Sequence, residues 1–154
     1  MKITVMSNSL EQTKQLAENL APLLSRGDVI TFSGDLGAGK TAFVQGLAKA
    51  LDVKDRVNSP TFNILKPYFY GRIPLYHIDA YRLEDGNKDI GLEEFIDGDG
   101  VTVVEWPQYI EEYLPKSQLN IEIVNVGTSS RTLTITSTGE RYQKLLEEYE
   151  RLIK

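Results

Sequence analysis

One glycine-rich segment, Gly34 to Thr41, constrains this chain more than any other feature. Its residues are Gly-Asp-Leu-Gly-Ala-Gly-Lys-Thr, which match the pattern G-x-x-x-x-G-K-[ST] in full. A loop that turns its backbone N–H groups inward around an anion needs glycine where φ is positive or a side chain would clash. The apolar run 29–33 before it predicts a strand, and Lys40 to Leu51 predicts a helix whose positive end would face a phosphate. The segment therefore predicts a strand, a phosphate-binding loop and a helix.

The motif also predicts a role for each part of the loop. Lys40 would supply a positive charge to the β- and γ-phosphate oxygens, and Thr41 would offer a hydroxyl to Mg²⁺. A glycine-rich turn that matches by accident is the alternative, and the flanking strand and helix argue against it. We expect nucleotide contacts from Asp35, Leu36, Gly37, Ala38, Gly39, Lys40, Thr41 and Ala42.

Composition narrows the class of protein. The 154 residues, 41% of them hydrophobic and 25% charged, are typical of one globular domain, which we take as residues 1–154. No stretch approaches the roughly 20 apolar residues of a membrane span, the first residues lack a secretory signal, and the absence of cysteine excludes disulfides. We expect a cytoplasmic protein. A net charge of −5 argues against broad nucleic-acid binding by this chain alone.

The predicted elements are those of an α/β protein. Two pairs of strands are separated by short connections, residues 70–72 and 127–130, and therefore predict hairpins. Mixed strand directions with helices on both faces predict a P-loop NTPase-like domain with a mixed parallel and antiparallel sheet. The predicted strands are 2–6, 29–33, 62–69, 73–79, 101–104, 119–126 and 131–137, and the predicted helices are 10–24, 40–51, 89–96 and 139–153.

Helix ends carry signals of their own. Either Asn8 with Glu11 or Ser9 with Gln12 predicts the start of the first helix, and Ser137 with Glu140 predicts a cap for the last one. Pro22 should kink or end the first helix, because it removes a backbone donor. Apolar positions at helical spacing predict one buried face on each of the two helices, comprising Leu10, Thr13, Leu16, Ala17, Leu20 and Leu24 in the first and Tyr142, Leu145, Leu146, Tyr149, Leu152 and Ile153 in the last.

Two acidic residues are placed for catalysis. Glu105 ends the apolar run 101–104, where a Walker-B-like carboxylate would lie at the carboxyl edge of the sheet; a solvated acid at a strand end is the alternative. Asp79 lies two residues after His77, so both share one face of a strand. We expect Lys40, Asp79 and Glu105 to be catalytic, and Thr41, Asp79 and Glu105 to hold Mg²⁺. Which of the two acids orients the attacking water stays open.

Other residues near these motifs have two interpretations each. His77, the only histidine, cannot form a multi-histidine metal site, and we expect it to be packed or hydrogen-bonded. Trp106 would lie over a base, face a partner or simply pack. Thr61 would sense the γ-phosphate or belong to a β-turn. Whether Arg82 or Arg131 reaches the γ-phosphate also stays open.

Four motifs occur together and in order. They are Gly-Asp-Leu-Gly-Ala-Gly-Lys-Thr at 34–41, Ser-Pro-Thr-Phe at 59–62, His-Ile-Asp-Ala-Tyr-Arg-Leu at 77–83 and Val-Glu-Trp-Pro at 104–107. From about residue 9 to 137 the chain closely resembles the bacterial TsaE family, formerly called YjeE. Helix 139–153 matches no motif of that family, and its role is open.

The resemblance implies a function. It implies an ATPase subunit of the machinery that makes threonylcarbamoyladenosine in tRNA, working with TsaD and TsaB, with hydrolysis supporting repeated turnover and tRNA held by the partner complex. It further implies that Lys40 contacts phosphates, and that Thr41 and Glu105 hold Mg²⁺. Asp79 matches a catalytic or water-coordinating aspartate, Thr61 a switch-like threonine, and Trp106 a tryptophan beside the Mg²⁺ acid.

Three rival functions fit parts of the sequence. A GTPase normally needs Asn-Lys-x-Asp, and residues 87–90 have Ile90 in place of the acid, while the D-x-x-G-like segment 97–100 precedes a strand instead of following one. A small-molecule kinase usually needs a cluster of lid arginines, and the seven arginines are scattered. A nucleotide-dependent binding module without hydrolysis is the third. Oligomeric state, including a homo-oligomer, and the docking face stay open.

Overall fold

The computed structural model describes residues 1–34, 39–54, 57, 64–69, 71–83 and 91–153, and for Arg82 the backbone alone. Within these residues seven strands form one sheet in the order β1-β7-β6-β2-β5-β4-β3. The strands are β1 (Lys2–Ser7), β2 (Val29–Gly34), β3 (Leu65–Tyr68), β4 (Leu75–Asp79), β5 (Val101–Glu105), β6 (Gln118–Asn125) and β7 (Arg131–Thr138).

The centre of the sheet is parallel and its margins are antiparallel. Strands β4, β5, β2 and β6 run parallel in that order, whereas β3, β7 and β1 join by antiparallel pairing. The predicted mixed sheet and both predicted hairpins, β3–β4 and β6–β7, are therefore confirmed. Because parallel strands end at the same edge, β2, β4 and β5 bring their carboxyl ends together.

Helices cover both faces of the sheet, as predicted. They are α1 (Leu10–Leu20), α2 (Lys40–Ala50), α3 (Leu92–Ile96) and α4 (Glu140–Ile153), with short 3-10 helices at Ala21–Leu23, Ala80–Leu83 and Pro107–Tyr113. The main core lies between the sheet and α1, α2 and α4. A smaller core on the other face lies under α3 and the last two 3-10 helices. None of the described helices is long and apolar enough to cross a membrane.

The first helix begins and ends as its sequence predicts. Ser9 is the N-cap: its Oγ accepts a hydrogen bond from the Gln12 N–H at 3.1 Å, and Gln12 Oε1 accepts one from the Asn8 N–H at 2.7 Å. Of the two alternatives, Ser9 with Gln12 is therefore the correct one. Pro22 lies in the 3-10 helix that follows α1, where its missing N–H ends the α-helical hydrogen-bonding pattern.

Three local predictions were wrong. Ser137 does not cap α4, because it lies within β7 and its hydroxyl donates to the Met1 carbonyl at 3.3 Å; Gly139, with φ +97°, precedes the helix instead. Leu10 and Leu152 are 52% and 54% exposed. Both lie in the terminal turns of their helices.

The close contact of α1 with α2 depends on a glycine. A Cβ at Gly46 would lie 2.5 Å from the Lys14 carbonyl oxygen and 2.9 Å from Ala17 Cβ. The backbone of α2 is therefore in close contact with α1 at this point. The contact fixes α2 against α1, and α2 begins at Lys40, beside the predicted site residue Trp106.

Candidate functional site

The sheet edge at the end of β2 has a backbone that only glycine suits. Gly34 ends β2 with φ +114°, and a Cβ there would overlap the Ile123 carbonyl oxygen of neighbouring β6. Gly39, with φ +105°, is the N-cap of α2 and offers no side-chain acceptor. The first N–H groups of a helix have no partner within it, so the first turn of α2 is left to bind an anion.

Lys40 begins α2 and is largely buried, with 6% of its surface exposed. Its Nζ lies 5.2 Å from the centroid of the Trp106 ring, and none of the described carboxylates lies within ion-pair distance of it. Beside it is a small recess of about 40 Å³ lined by Phe32, Ser33, Gly34, Lys40, Trp106 and Gln108. The ammonium therefore has an aromatic neighbour in place of a counterion, an arrangement that leaves its charge available to an anion.

The two predicted acids end neighbouring parallel strands. Asp79 and Glu105 are direct partners in the β4–β5 register, so both side chains lie on the face of the sheet that α2 covers. Glu105 is 7% exposed, and its Oε2 lies 2.7 Å from His77 Nε2. His77 is completely buried, and its Nδ1 has no hydrogen-bond partner in the described structure. With Glu105 ionised, Nε2 carries the hydrogen and donates it.

Asp79 is in a different environment. It is partly buried, and its Oδ1 accepts a hydrogen bond from the Tyr81 N–H at 3.1 Å. Burial raises the pKa of Asp79 above its ordinary value, and the neighbouring Glu105 charge raises it further, while the Tyr81 N–H, His77 and Lys40 act in the opposite direction. The two acids therefore differ: Glu105 has a hydrogen-bonded side-chain partner, whereas burial makes the ionised form of Asp79 less favourable than in water.

Three aromatic rings extend the site toward solvent. The Tyr81 and Trp106 centroids are 5.1 Å apart, and Tyr109 stacks on Trp106 at 6.3 Å with an interplanar angle of 26°. Trp106 has φ +57°, an uncommon conformation for a residue with a bulky side chain. Such strain persists where the surroundings enforce it, and it clusters at functional sites.

The described residues do not by themselves enclose a metal ion. They contain no group of three or more histidine, aspartate or glutamate side chains that could hold one. Glu105, Asp79 and the Thr41 hydroxyl do offer hard oxygen ligands. Mg²⁺ usually binds through one or two carboxylates together with substrate phosphates and water, so this donor set fits a Mg²⁺ ion that binds along with a polyphosphate.

The structure brings together Lys40, Asp79, Glu105 and Trp106, and it places Gly39, Thr41 and Ala42 at the same edge, on the cap and first turn of α2. His77 is packed and hydrogen-bonded, as predicted. Of the predicted nucleotide contacts, Asp35, Leu36, Gly37, Ala38 and Thr61 lie outside the described residues, as does the side chain of Arg82.

Sequence reasoning missed two features of this edge. It did not identify Glu105 as the partner of His77, although both residues had been assigned to neighbouring motifs. It also missed the Tyr81–Trp106–Tyr109 cluster. The spacing of Tyr109, three residues after Trp106, was the available signal, but the turn of chain that stacks the two rings was not predictable from it.

Comparisons with known proteins all identify one family. Residues 7–133 match the family model of TsaE, described as "Threonylcarbamoyl adenosine biosynthesis protein TsaE". A protein of Bacillus subtilis named tRNA threonylcarbamoyladenosine biosynthesis protein TsaE is 49% identical over 141 residues, which are 92% of this chain and 89% of that protein. A Treponema pallidum protein of the same name is 37% identical over 132 residues, or 84% of this chain and 97% of that protein.

A solved structure is also similar. The crystal structure of YdiB from Bacillus subtilis superposes with a TM-score of 0.88 at 40% sequence identity, covering 100% of this chain and 97% of that one. The similarity therefore includes α4, which lies beyond the residues that the family model matches.

Proposed function

Because the chain belongs to the TsaE family, we propose that it is the Mg²⁺-dependent, ATP-binding and ATP-hydrolysing subunit that supports turnover of a TsaB–TsaD complex. In this proposal it acts in the cytoplasm, in the biosynthesis of threonylcarbamoyladenosine in tRNA, and tRNA reaches it through the partner complex. The observation that carries the proposal is the pairing of Asp79 with Glu105 at the end of β4 and β5, on the face covered by α2.

Nucleotide binding is assigned to the start of α2. The N–H groups of Lys40, Thr41 and Ala42 face an anion with the positive end of the helix dipole behind them. The Lys40 ammonium, which has no carboxylate partner in the described residues, supplies charge to the phosphate oxygens. Trp106 flanks it at 5.2 Å and excludes water from that side. Residues 35–38 and Thr61 remain assigned to nucleotide binding by their motifs.

Hydrolysis is assigned to the two acids. A P-loop binds phosphates, and hydrolysis further needs a metal ion and an oriented water molecule. Mg²⁺ would supply charge stabilisation to the phosphates, with Thr41 and Glu105 as its protein ligands. His77 fixes the orientation of Glu105 through the 2.7 Å contact. Asp79, whose raised pKa brings it closer to the range of a useful base, is the residue to which we assign orientation of the attacking water.

The test is phosphate release from ATP by this chain alone and after addition of TsaB and TsaD. We expect slow release by the chain alone and stimulation by the two proteins together. Glu105→Gln and Asp79→Asn should bind ATP and lose stimulated release by about 100-fold or more. Glu94→Gln, which alters an exposed acid of α3, is the matched control and should behave as the wild type.

Two results would contradict the proposal. If the wild-type chain binds MgATP but releases no phosphate with TsaB and TsaD present, the ATPase assignment fails and a nucleotide-dependent binding module remains. If both acid variants keep full stimulated release, the catalytic site lies elsewhere.

A further inference from the structure

Arg131 lies behind the start of α2. It is the first residue of β7, and only 7% of its surface is exposed. A Cβ at Gly39, the residue before Lys40, would lie 3.5 Å from Arg131 Cδ and 3.7 Å from its Nε. The arginine side chain is therefore packed directly against the last glycine of the phosphate-binding motif.

Among the residues that the structure describes, the hydrogen-bond partner of Arg131 is a neutral hydroxyl group. Its Nη1 donates to the Thr13 hydroxyl at 3.3 Å, and that hydroxyl is 2.8 Å from the Ser7 hydroxyl. Ser7 and Thr13 are both completely buried. The Nε of Arg131 is buried and has no hydrogen-bond partner in the described structure. Of these two hydroxyl groups only that of Thr13 contacts the guanidinium, and it does not neutralise the charge.

Two other arginines, in contrast to Arg131 within the described residues, form ion pairs with carboxylates. Arg141 pairs with Asp28 at 2.8 Å and Arg26 with Asp99 at 3.8 Å, and both are more exposed than Arg131. Burial of a charge is costly unless an opposite charge compensates it. Among the described residues no carboxylate forms an ion pair with Arg131, the most deeply buried of these three arginines. Because Arg131 lies beside Gly39, a compensating negative charge would bind at the start of α2.

We propose that Arg131 is a positioning residue of the phosphate site. It holds a fixed positive charge beside Gly39, and the counterion of that charge is the polyphosphate of the bound nucleotide. It acts through the backbone of Gly39 and through its field at the start of α2, in addition to Lys40. This inference rests on the proposed function, because it requires that a nucleotide binds at α2.

The experiment compares binding and stability in variants of Arg131. Arg131→Met keeps the aliphatic part of the side chain and removes the charge, Arg131→Gln removes the charge but keeps a polar group, and Arg131→Lys keeps the charge. Affinities for MgATP, MgADP and AMP are measured by calorimetry, and the melting temperature is measured with and without MgATP. Arg141→Met, which breaks the ion pair with Asp28 away from α2, is the matched control.

We expect Arg131→Met to weaken MgATP binding roughly tenfold, with a smaller effect on AMP, which brings fewer charges. Without nucleotide its melting temperature should not fall, since removing an uncompensated buried charge is neutral or stabilising; the rise caused by MgATP should shrink. Arg131→Lys should bind MgATP more tightly than Arg131→Met. Arg141→Met should lower the melting temperature and leave the affinity unchanged.

The opposite pattern would overturn the inference. If Arg131→Met lowers the melting temperature of the nucleotide-free protein and leaves the affinity unchanged, Arg131 is structural. If Arg131→Lys loses as much affinity for MgATP as Arg131→Met, the contribution of Arg131 to binding does not come from its charge. Should the Met variant fail to fold, the Gln and Lys variants supply the same comparison. Failure of the wild-type chain to bind MgATP would instead refute the proposed function.

Discussion

Asp79 and Glu105 are paired across β4 and β5, but their side chains are stabilised to different degrees. Glu105 has the His77 imidazole at 2.7 Å, whereas Asp79 accepts one backbone N–H while burial opposes its charge. Two carboxylates at equivalent strand ends therefore have different chemical environments. Environment, more than sequence position, separates the metal ligand from the water-orienting acid in our proposal.

The raised pKa of Asp79 leads to a prediction about stability. Between the unfolded and folded pKa values the folded state binds more protons, so stability falls as pH rises through that interval and stays lower above it. Asp79→Asn, which keeps an oxygen for the Tyr81 N–H, should therefore raise the melting temperature at pH 7 by a few degrees. The difference in melting temperature between the wild type and the variant should disappear below pH 4, near the ordinary pKa of aspartate.

The measurement is thermal unfolding from pH 3 to 8 with EDTA, so that no metal ion contributes. Asp97→Asn, which changes the acid just after α3, is the control and should show no such gain. A melting temperature for Asp79→Asn that lies below the wild type at pH 7 would contradict the prediction.

His77 is predicted to position Glu105. His77→Phe fills the buried space but removes the donor, and it leaves a buried carboxylate without its partner at a cost of about 1–3 kcal/mol. We expect a lower melting temperature and a loss of stimulated ATP hydrolysis of roughly 10- to 100-fold. His77→Gln places an amide N–H near the position of Nε2 and should restore part of the activity.

The informative quantity is the Mg²⁺ concentration that gives half-maximal hydrolysis, which a general packing defect would not change. We expect it to rise in His77→Phe and to return toward the wild-type value in His77→Gln. If the two variants share one unchanged Mg²⁺ dependence, His77 contributes only to packing.

At the scale of elements, the site depends on how closely α1 and α2 pack. Gly46 lies at their crossing, where a Cβ would be 2.5 Å from the Lys14 carbonyl oxygen. Alanine normally stabilises a helix by about 1 kcal/mol relative to glycine. At this position the backbone contact outweighs that gain, because the two helices must separate to admit one methyl group.

Gly46→Ala should therefore destabilise the protein by about 1–3 kcal/mol, and it should weaken MgATP binding because α2 shifts. Chemical denaturation and calorimetry measure the two effects. Lys49→Ala, in the same helix, removes only a surface ion pair with Glu18 and should change stability by about 0.5 kcal/mol or less. A more stable Gly46→Ala variant would show that helix propensity outweighs the contact.

Helix α4 also joins other elements of the fold. Tyr142 in α4 accepts a hydrogen bond from the Val29 N–H at 2.8 Å, and Tyr149 donates one to the Leu16 carbonyl at 2.7 Å. These contacts tie α4 to β2 and α1, the elements on either side of the main core. The helix thus helps to support the strand that leads into the proposed phosphate-binding loop, a role its sequence did not reveal.

For the whole molecule, the net charge bears on whether it binds nucleic acid directly. With a net charge of −5 the chain has no excess of basic residues to displace counterions from a phosphate backbone. We expect no retention of tRNA by the chain alone at about 0.15 M salt, and retention once TsaB and TsaD are added. Filter binding or gel filtration with labelled tRNA measures this.

The control is the TsaB–TsaD complex without this chain, which should retain tRNA to a similar extent. A tight complex of tRNA with this chain alone, weakened steeply by added salt, would contradict the assignment of tRNA binding to the partners.

What the sequence alone determined is local. The motif Gly34 to Thr41 predicted the strand that ends at Gly34 and the helix that begins at Lys40, because glycine positions and helix starts depend on neighbours along the chain. Alternation placed His77 and Asp79 on one face of β4, and the apolar run before Glu105 predicted a buried strand. These features extend over a few residues, so periodicity and turn chemistry were sufficient.

Only the tertiary structure decided which distant residues meet. The order β2-β5-β4 and its register place Glu105 beside Asp79 and against His77, and the pairing of β7 with β1 and β6 brings Arg131 to Gly39. A shift of one residue in either register would turn these side chains to the other face. Strand order and register arise from packing the whole core, and no local pattern in this chain specifies them.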